Sequence, residues 1–154
     1  MGGFPAYFNK GFDEAIACCL ITLAIGSFSV PDSTLLKVPI NTVGYGPFNL
    51  FDANSHSIIA PAYASQIQII GHLEWYPTLA DGACSTHLFR NDDITSEAFY
   101  HNRIPYLKNI SAYTNTVAMT PWIPILYPLE KWSLYAFQNT GLNATLITVA
   151  GAEN

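Results

Sequence analysis

Hydrophobic and polar positions in this chain alternate in short runs separated by turn-forming residues. From Ser65 to Tyr76 one set of alternate positions is Ile67, Ile69, Gly71, Leu73 and Trp75, and the other is Gln66, Gln68, Ile70, His72 and Glu74. Successive side chains of a strand point to opposite faces, so this run predicts a strand with the first set in a core and the second outside. Residues 132–138 alternate as well, with Trp132, Leu134 and Ala136 on one face and Ser133, Tyr135 and Phe137 on the other. The second set is aromatic where a solvated face would carry charge. Tyr135 and Phe137 are therefore expected at a subunit interface, since Tyr and Phe are enriched where subunits meet. The alternative is packing against a second sheet of the same domain.

Turn signals recur at Pro31-Asp32-Ser33, Gly44-Tyr45-Gly46-Pro47, Asp52-Ala53-Asn54-Ser55, Asp81-Gly82, Asn91-Asp92-Asp93, Tyr127-Pro128 and Asn139-Thr140-Gly141. The runs between them are rich in Ile, Val, Thr, Tyr and Phe, the rhythm of an all-β sandwich or barrel. The apolar run at residues 15–30 is short for a spanning helix. Asp13 and Glu14 directly before it argue against a signal peptide. Ile16, Ile21, Thr22 and Ile25 favour a buried strand over a helix at residues 12–25. The chain divides into an N-terminal arm, residues 1–15, and one domain, residues 16–154.

Composition narrows the function. Half of the 154 residues are hydrophobic and only 11% are charged, against a usual charged share of about 25%. A surface so poor in charge is expected to be covered in part by other subunits. Lys10, Lys37, Arg90, Arg103, Lys108 and Lys131 are scattered in a chain of net charge -5, which excludes the clustered basic surface that nucleic acid needs. Cys18, Cys19 and Cys84 make a poor disulfide framework and are read as reduced thiols.

The stretch from Val30 to Val43 (VPDSTLLKVPINTV) resembles the early strands of the complement-q globular-head and tumour-necrosis-factor jelly rolls. Phe51-Asp52 with Ser57-Ile58-Ile59-Ala60-Pro61, then Ile70-Gly71-His72-Leu73-Glu74-Trp75, then His87-Leu88-Phe89-Arg90-Asn91 resemble its following segments, in order. Residues 134–141 (LYAFQNTG) are similar to its penultimate strand and turn. One departure is Ala62-Tyr63-Ala64-Ser65, where the family carries Gly-x-Tyr.

The resemblance implies an all-β jelly-roll β-sandwich, homotrimeric, with inner sheet faces meeting at a three-fold axis. No collagen-like Gly-X-Y stalk precedes the domain, and stalkless versions look most like bacteriophage virion proteins. The expectation is a trimeric capsid decoration (cement) protein on the outer surface of a phage head. It would be made in the host cytoplasm and held by the major capsid protein or other virion proteins. Phe4, Tyr7, Phe8 and Phe12 in the arm are apolar anchors suited to docking. One alternative is a receptor-binding tip or spike of a phage fibre, recognising its target through loops such as 76–82 or 91–96. Another is a secreted complement-like or cytokine-like ligand domain, against which the missing signal peptide counts.

No constellation points to catalysis, and the chain is read as no enzyme. His56, His72, His87 and His101 fall in no metal-ligand pattern, and His72 with Glu74 is read as a strand face. The apolar setting of Cys18 and Cys19 is wrong for a nucleophile. Asn91-Asp92-Asp93 and Asp52 with Asn54 offer oxygen ligands that calcium would favour, though turn propensity alone accounts for both. No cofactor, nucleic-acid or membrane partner is expected.

Overall fold

The computed structural model describes residues 20–23, 27–45, 50–60, 62, 64–76, 81–95, 100–103, 114–126 and 128–147. The arm with Phe4, Tyr7, Phe8 and Phe12, together with Cys18 and Cys19, lies outside them. The strands are β1 (Leu20–Leu23), β2 (Ser27–Val30), β3 (Leu36–Lys37), β4 (Ile40–Tyr45), β5 (Phe51–Asp52), β6 (Ser57–Ile59) and β7 (Gln66–Ile67). They continue with β8 (Ile70–Trp75), β9 (Cys84–Arg90), β10 (Tyr100–Arg103), β11 (Thr114–Met119), β12 (Ile123–Pro124), β13 (Lys131–Gln138) and β14 (Ala144–Ile147). No α-helix occurs among the described residues, so the all-β reading holds. The apolar run at 15–30 contributes two strands, β1 and β2. The expected turn at Gly44-Tyr45 is instead the end of β4.

Two antiparallel sheets dominate. One has the order β10-β9-β13-β6-β5, with β3 also on β13, and the other runs β11-β8-β14-β2. The pairing is nested: β9 with β10, β8 with β11, β6 with β13, and β2 with β14. Each pair thus encloses the one before it along the chain. Two cross-links, β9 with β13 and β8 with β14, assemble the nested pairs into the two sheets.

The core between the sheets is built by the alternation the sequence shows. Ile69, Leu73 and Trp75 of the β8 run and Trp132, Leu134 and Ala136 of β13 are buried together with Val30, Leu88 and Leu146. Burying such side chains is worth roughly 1.5–3 kcal/mol each. Gly71 leaves room for the Leu134 side chain of the facing sheet, which a Cβ there would displace. Polar groups inside are paired, as buried polar groups must be. Trp75 Nε1 donates to Thr116 Oγ1 at 2.9 Å, and the hydroxyls of Thr116 and Thr86 bond each other across the sheets. Gly82, at φ 156° and with Thr140 Cα 2.6 Å from where its Cβ would sit, closes the approach of the 81–83 segment to the β13–β14 turn.

Candidate functional site

The sheet face bearing Tyr135 is not an open aromatic surface. Ser133 is fully buried, Tyr135 is 8% exposed and Phe137 is half-buried, so both faces of β13 are covered. The cause is local. Asn91 and Asp92 adopt left-handed backbone at φ 53° and 57°, a conformation that Asn and Asp tolerate better than other non-glycine residues. The turn brings Asp92 over β13, where Tyr135 Oη donates to Asp92 Oδ1 at 3.1 Å. Lys37 Nζ donates to both Asp92 oxygens at 2.8 Å and to Ser57 Oγ at 3.1 Å, and Ser57 and Ser133 hydroxyls lie 2.9 Å apart. Phe89 meets the Tyr135 ring edge-on at 5.0 Å. Tyr135 is thus engaged by Asp92 and Phe89 of its own chain, on the side of β13 away from the core face that Trp132, Leu134 and Ala136 form.

A lysine beside two serines has the composition of a nucleophile with its base. Here Ser57 and Ser133 are both 0% exposed, so no substrate reaches them, and the cluster acts to fasten the 91–95 turn and β3 onto β13. Burial together with the Asp92 carboxylate pushes the Tyr135 phenol up to about 12. Burial works to raise the Asp92 carboxyl, but Lys37, Ser133 and Tyr135 bring it net below its ordinary value. A phenol whose pKa is higher folded than unfolded contributes stability that is fully present below its ordinary value near 10 and is lost as pH rises through about 12. Folding stability is therefore expected to fall between about pH 10 and 12, and less steeply in Tyr135→Phe; urea titrations across that range would show it.

The other residues singled out by sequence are dispersed. His56 Nδ1 lies 2.9 Å from Ile40 O, His72 Nε2 3.0 Å from Asn115 Oδ1, and His87 Nε2 2.8 Å from Ser85 Oγ. His101 stands opposite His87 in the β9–β10 register. Asp52 accepts from Ser55, Lys131 and the Asn54 amide, and the Ser55 hydroxyl first and Lys131 second hold its carboxyl well below the usual range. Asp93 accepts from Thr95. The carboxylates of both turns considered for calcium are thus bonded within the chain, and no group of three or more His, Cys, Asp or Glu among the described residues could hold a metal ion. Burial pushes the free Cys84 thiol up to about 11, away from nucleophilic use. No helix of the described residues is long and apolar enough to cross a membrane.

One exposed apolar surface lies on the other sheet. In β8 and β11, Met119 pairs with Ile70, Val117 with His72 and Asn115 with Glu74. These three pairs share the face turned away from the core. Ile70 is 62% exposed and Met119 57%, with Val117, 37% exposed, two residues before Met119 on the same face, whereas Thr116 and Ala118 of β11 are buried. Large apolar groups outside and small ones inside invert what hydrophobicity alone would assign to β11. Alternation along residues 65–76 puts Ile70 and His72 outside, whereas Val117 and Met119 stand out only in the structure. That inversion of size was the available signal. No family model matches the chain, and no curated protein matches it by sequence.

Proposed function

We propose that this protein is a jelly roll of the tumour-necrosis-factor type that assembles as a homotrimer through the outer face of the β11-β8-β14-β2 sheet and serves as a structural virion protein decorating a phage capsid. The nested pairing supports the jelly-roll reading: taking β2, β6, β8, β9, β10, β11, β13 and β14 as eight successive strands, first pairs with last, second with seventh, and so on inward. The observation that carries the assembly reading is the exposed Ile70–Val117–Met119 patch on a regular sheet face. Apolar surface of this kind marks an interaction site, and the flanking His72, Glu74 and Asn115 give it a polar rim. Tyr135 and Phe137 then serve the fold rather than the interface.

Sedimentation of the wild-type chain is expected to give a trimer. Ile70→Lys with Met119→Lys is expected to give a folded monomer, because both side chains are already in water in the single chain. A trimer that survives the double substitution would remove this face from the proposal, and a monomeric wild type would remove assembly altogether. Counting copies per particle by mass spectrometry separates decoration, at hundreds, from a fibre tip or spike, at about a dozen. The tip or spike reading is favoured by one observation: Trp122, Leu126 and Leu129, which follow β11 in the chain, are each more than half exposed.

A further inference from the structure

His72 stands in the middle of the exposed face of β8 and β11. Of the pairs on that face, Ile70–Met119 lies on one side of it and Glu74–Asn115 on the other, and Val117 is its own cross-strand partner. Directly paired side chains have Cβ atoms only about 4.5–5.5 Å apart. A subunit that covers Val117 therefore covers His72 as well, although His72 is exposed in the single chain.

What such burial asks of the imidazole depends on its protonation. Asn115 Oδ1 can only accept, so His72 Nε2 carries the proton of the 3.0 Å bond between them. The neutral ring and the protonated ring both make that bond. The neutral ring then brings one uncharged acceptor, Nδ1, into the interface. The protonated ring brings a full charge and a second N–H, and burying an unpaired charge costs far more than burying a neutral polar group.

Charged company near the ring is sparse. The two strands that flank β8, β11 (Thr114–Met119) and β14 (Ala144–Ile147), carry no titratable residue. On β8 itself the charged neighbour is Glu74, two residues on and about 7 Å away by strand rise. It sits on the Asn115 side, away from Ile70 and Met119. At that separation and beside water it offsets little of the cost of burying an imidazolium.

We infer that His72 makes assembly through this face pH-dependent, a regulation that rests on the assembly reading above: the trimer forms with the ring neutral, and protonation in mild acid drives the subunits apart. Histidine is the side chain that changes charge between pH 5 and 8. Each protonated His72 must lose its proton to be covered, so three copies raise the trimer dissociation constant up to about a thousandfold for each pH unit below their titration. Asp52 and Asp92 are held below the ordinary carboxylate range and stay ionised throughout this interval.

Sedimentation of the full chain at about pH 7.5 and about pH 5.5 tests this, with tryptophan emission of the same samples reporting the fold through the buried Trp75 and Trp132. The wild type is expected to be a trimer at the higher value. At the lower it is expected to be a folded monomer, or a trimer at least about a hundredfold weaker. His72→Gln keeps a donor for Asn115 and takes no charge, and is expected to assemble equally at both. His72→Lys is charged at both and is expected to stay monomeric throughout. A wild-type trimer equally tight or tighter at the lower pH overturns the inference and leaves the assembly reading intact. So does a pH response retained in His72→Gln, a trimer of His72→Lys, or dissociation accompanied by loss of the folded chain's emission. A wild type that is monomeric at both values removes the assembly reading and its regulation together.

Discussion

Glu130→Ala is expected to cost about 3–5 kcal/mol of folding stability, the range for removing one partner of a buried ion pair, read as a drop in urea midpoint at unchanged m-value. Glu130 is 2% exposed and its carboxylate is the meeting point of Arg90, Trp132 Nε1 and Leu126 N. The Arg90 guanidinium also lies 5.0 Å from the centre of the Trp132 ring, so it is confined between an aromatic face and the carboxylate. Alanine would leave that charge, with only 14% of its side chain in solvent, facing a void. It would also strand the indole N–H and the Leu126 amide. The double variant Arg90→Met with Glu130→Leu should recover part of the loss, because an apolar pair of similar volume often equals a buried ion pair. A loss below about 1 kcal/mol for Glu130→Ala would show that water replaces the carboxylate and that the pair is not buried in solution.

What made the strands legible was local, and what hid the surfaces was not. The alternation at Ile69, Leu73 and Trp75 placed the core face of β8 correctly because burial on one face imposes a period of two. The same argument placed Trp132, Leu134 and Ala136 inside, but it could not tell what covers Tyr135 on the other side of β13. Whether Tyr135 meets water depends on Asp92, 43 residues earlier, turning back over it, and on Lys37 arriving from β3. No periodicity within residues 132–138 carries that information. For β11 no reading was available: Thr116 is inside, where it bonds Trp75 and Thr86, Ala118 is buried beside it, and Val117 and Met119 are left outside. Turn chemistry was readable where the residue type sets the backbone, as at Asn91-Asp92 and Gly141. It was misleading at Gly44-Tyr45, where pairing with β1 extends the strand.

The two largest polar fixtures sit at opposite ends of β13, Glu130 just before Lys131 and Gln138 at its last residue. Gln138→Leu is accordingly expected to destabilise the protein by about 3–5 kcal/mol, although it preserves most of the side-chain volume. Gln138 is 0% exposed and uses both ends of its amide. Nε2 donates to Val30 O at 3.0 Å and Leu142 O at 2.8 Å, while Oε1 accepts from Thr140 N and Thr140 Oγ1, each at 2.8 Å. Leucine would leave the Val30 carbonyl and the Thr140 amide without these partners, at about 1–3 kcal/mol for each buried group left unsatisfied. Thr140→Val, which removes one hydroxyl from the same cluster, should cost only about 1 kcal/mol. The location decides a second readout. Val30 ends β2 and the turn at 139–143 leads into β14, where Ala144 pairs with Val30; Ser33 N also donates to Gln138 O and Gly141 N to Asp32 Oδ1. Hydrogen exchange in Gln138→Leu should therefore accelerate in β2 and β14 before β9. Uniform acceleration across both sheets, or a loss no larger than that of Thr140→Val, would mean that Gln138 is not the fastening between the β13–β14 turn and the edge of the four-stranded sheet.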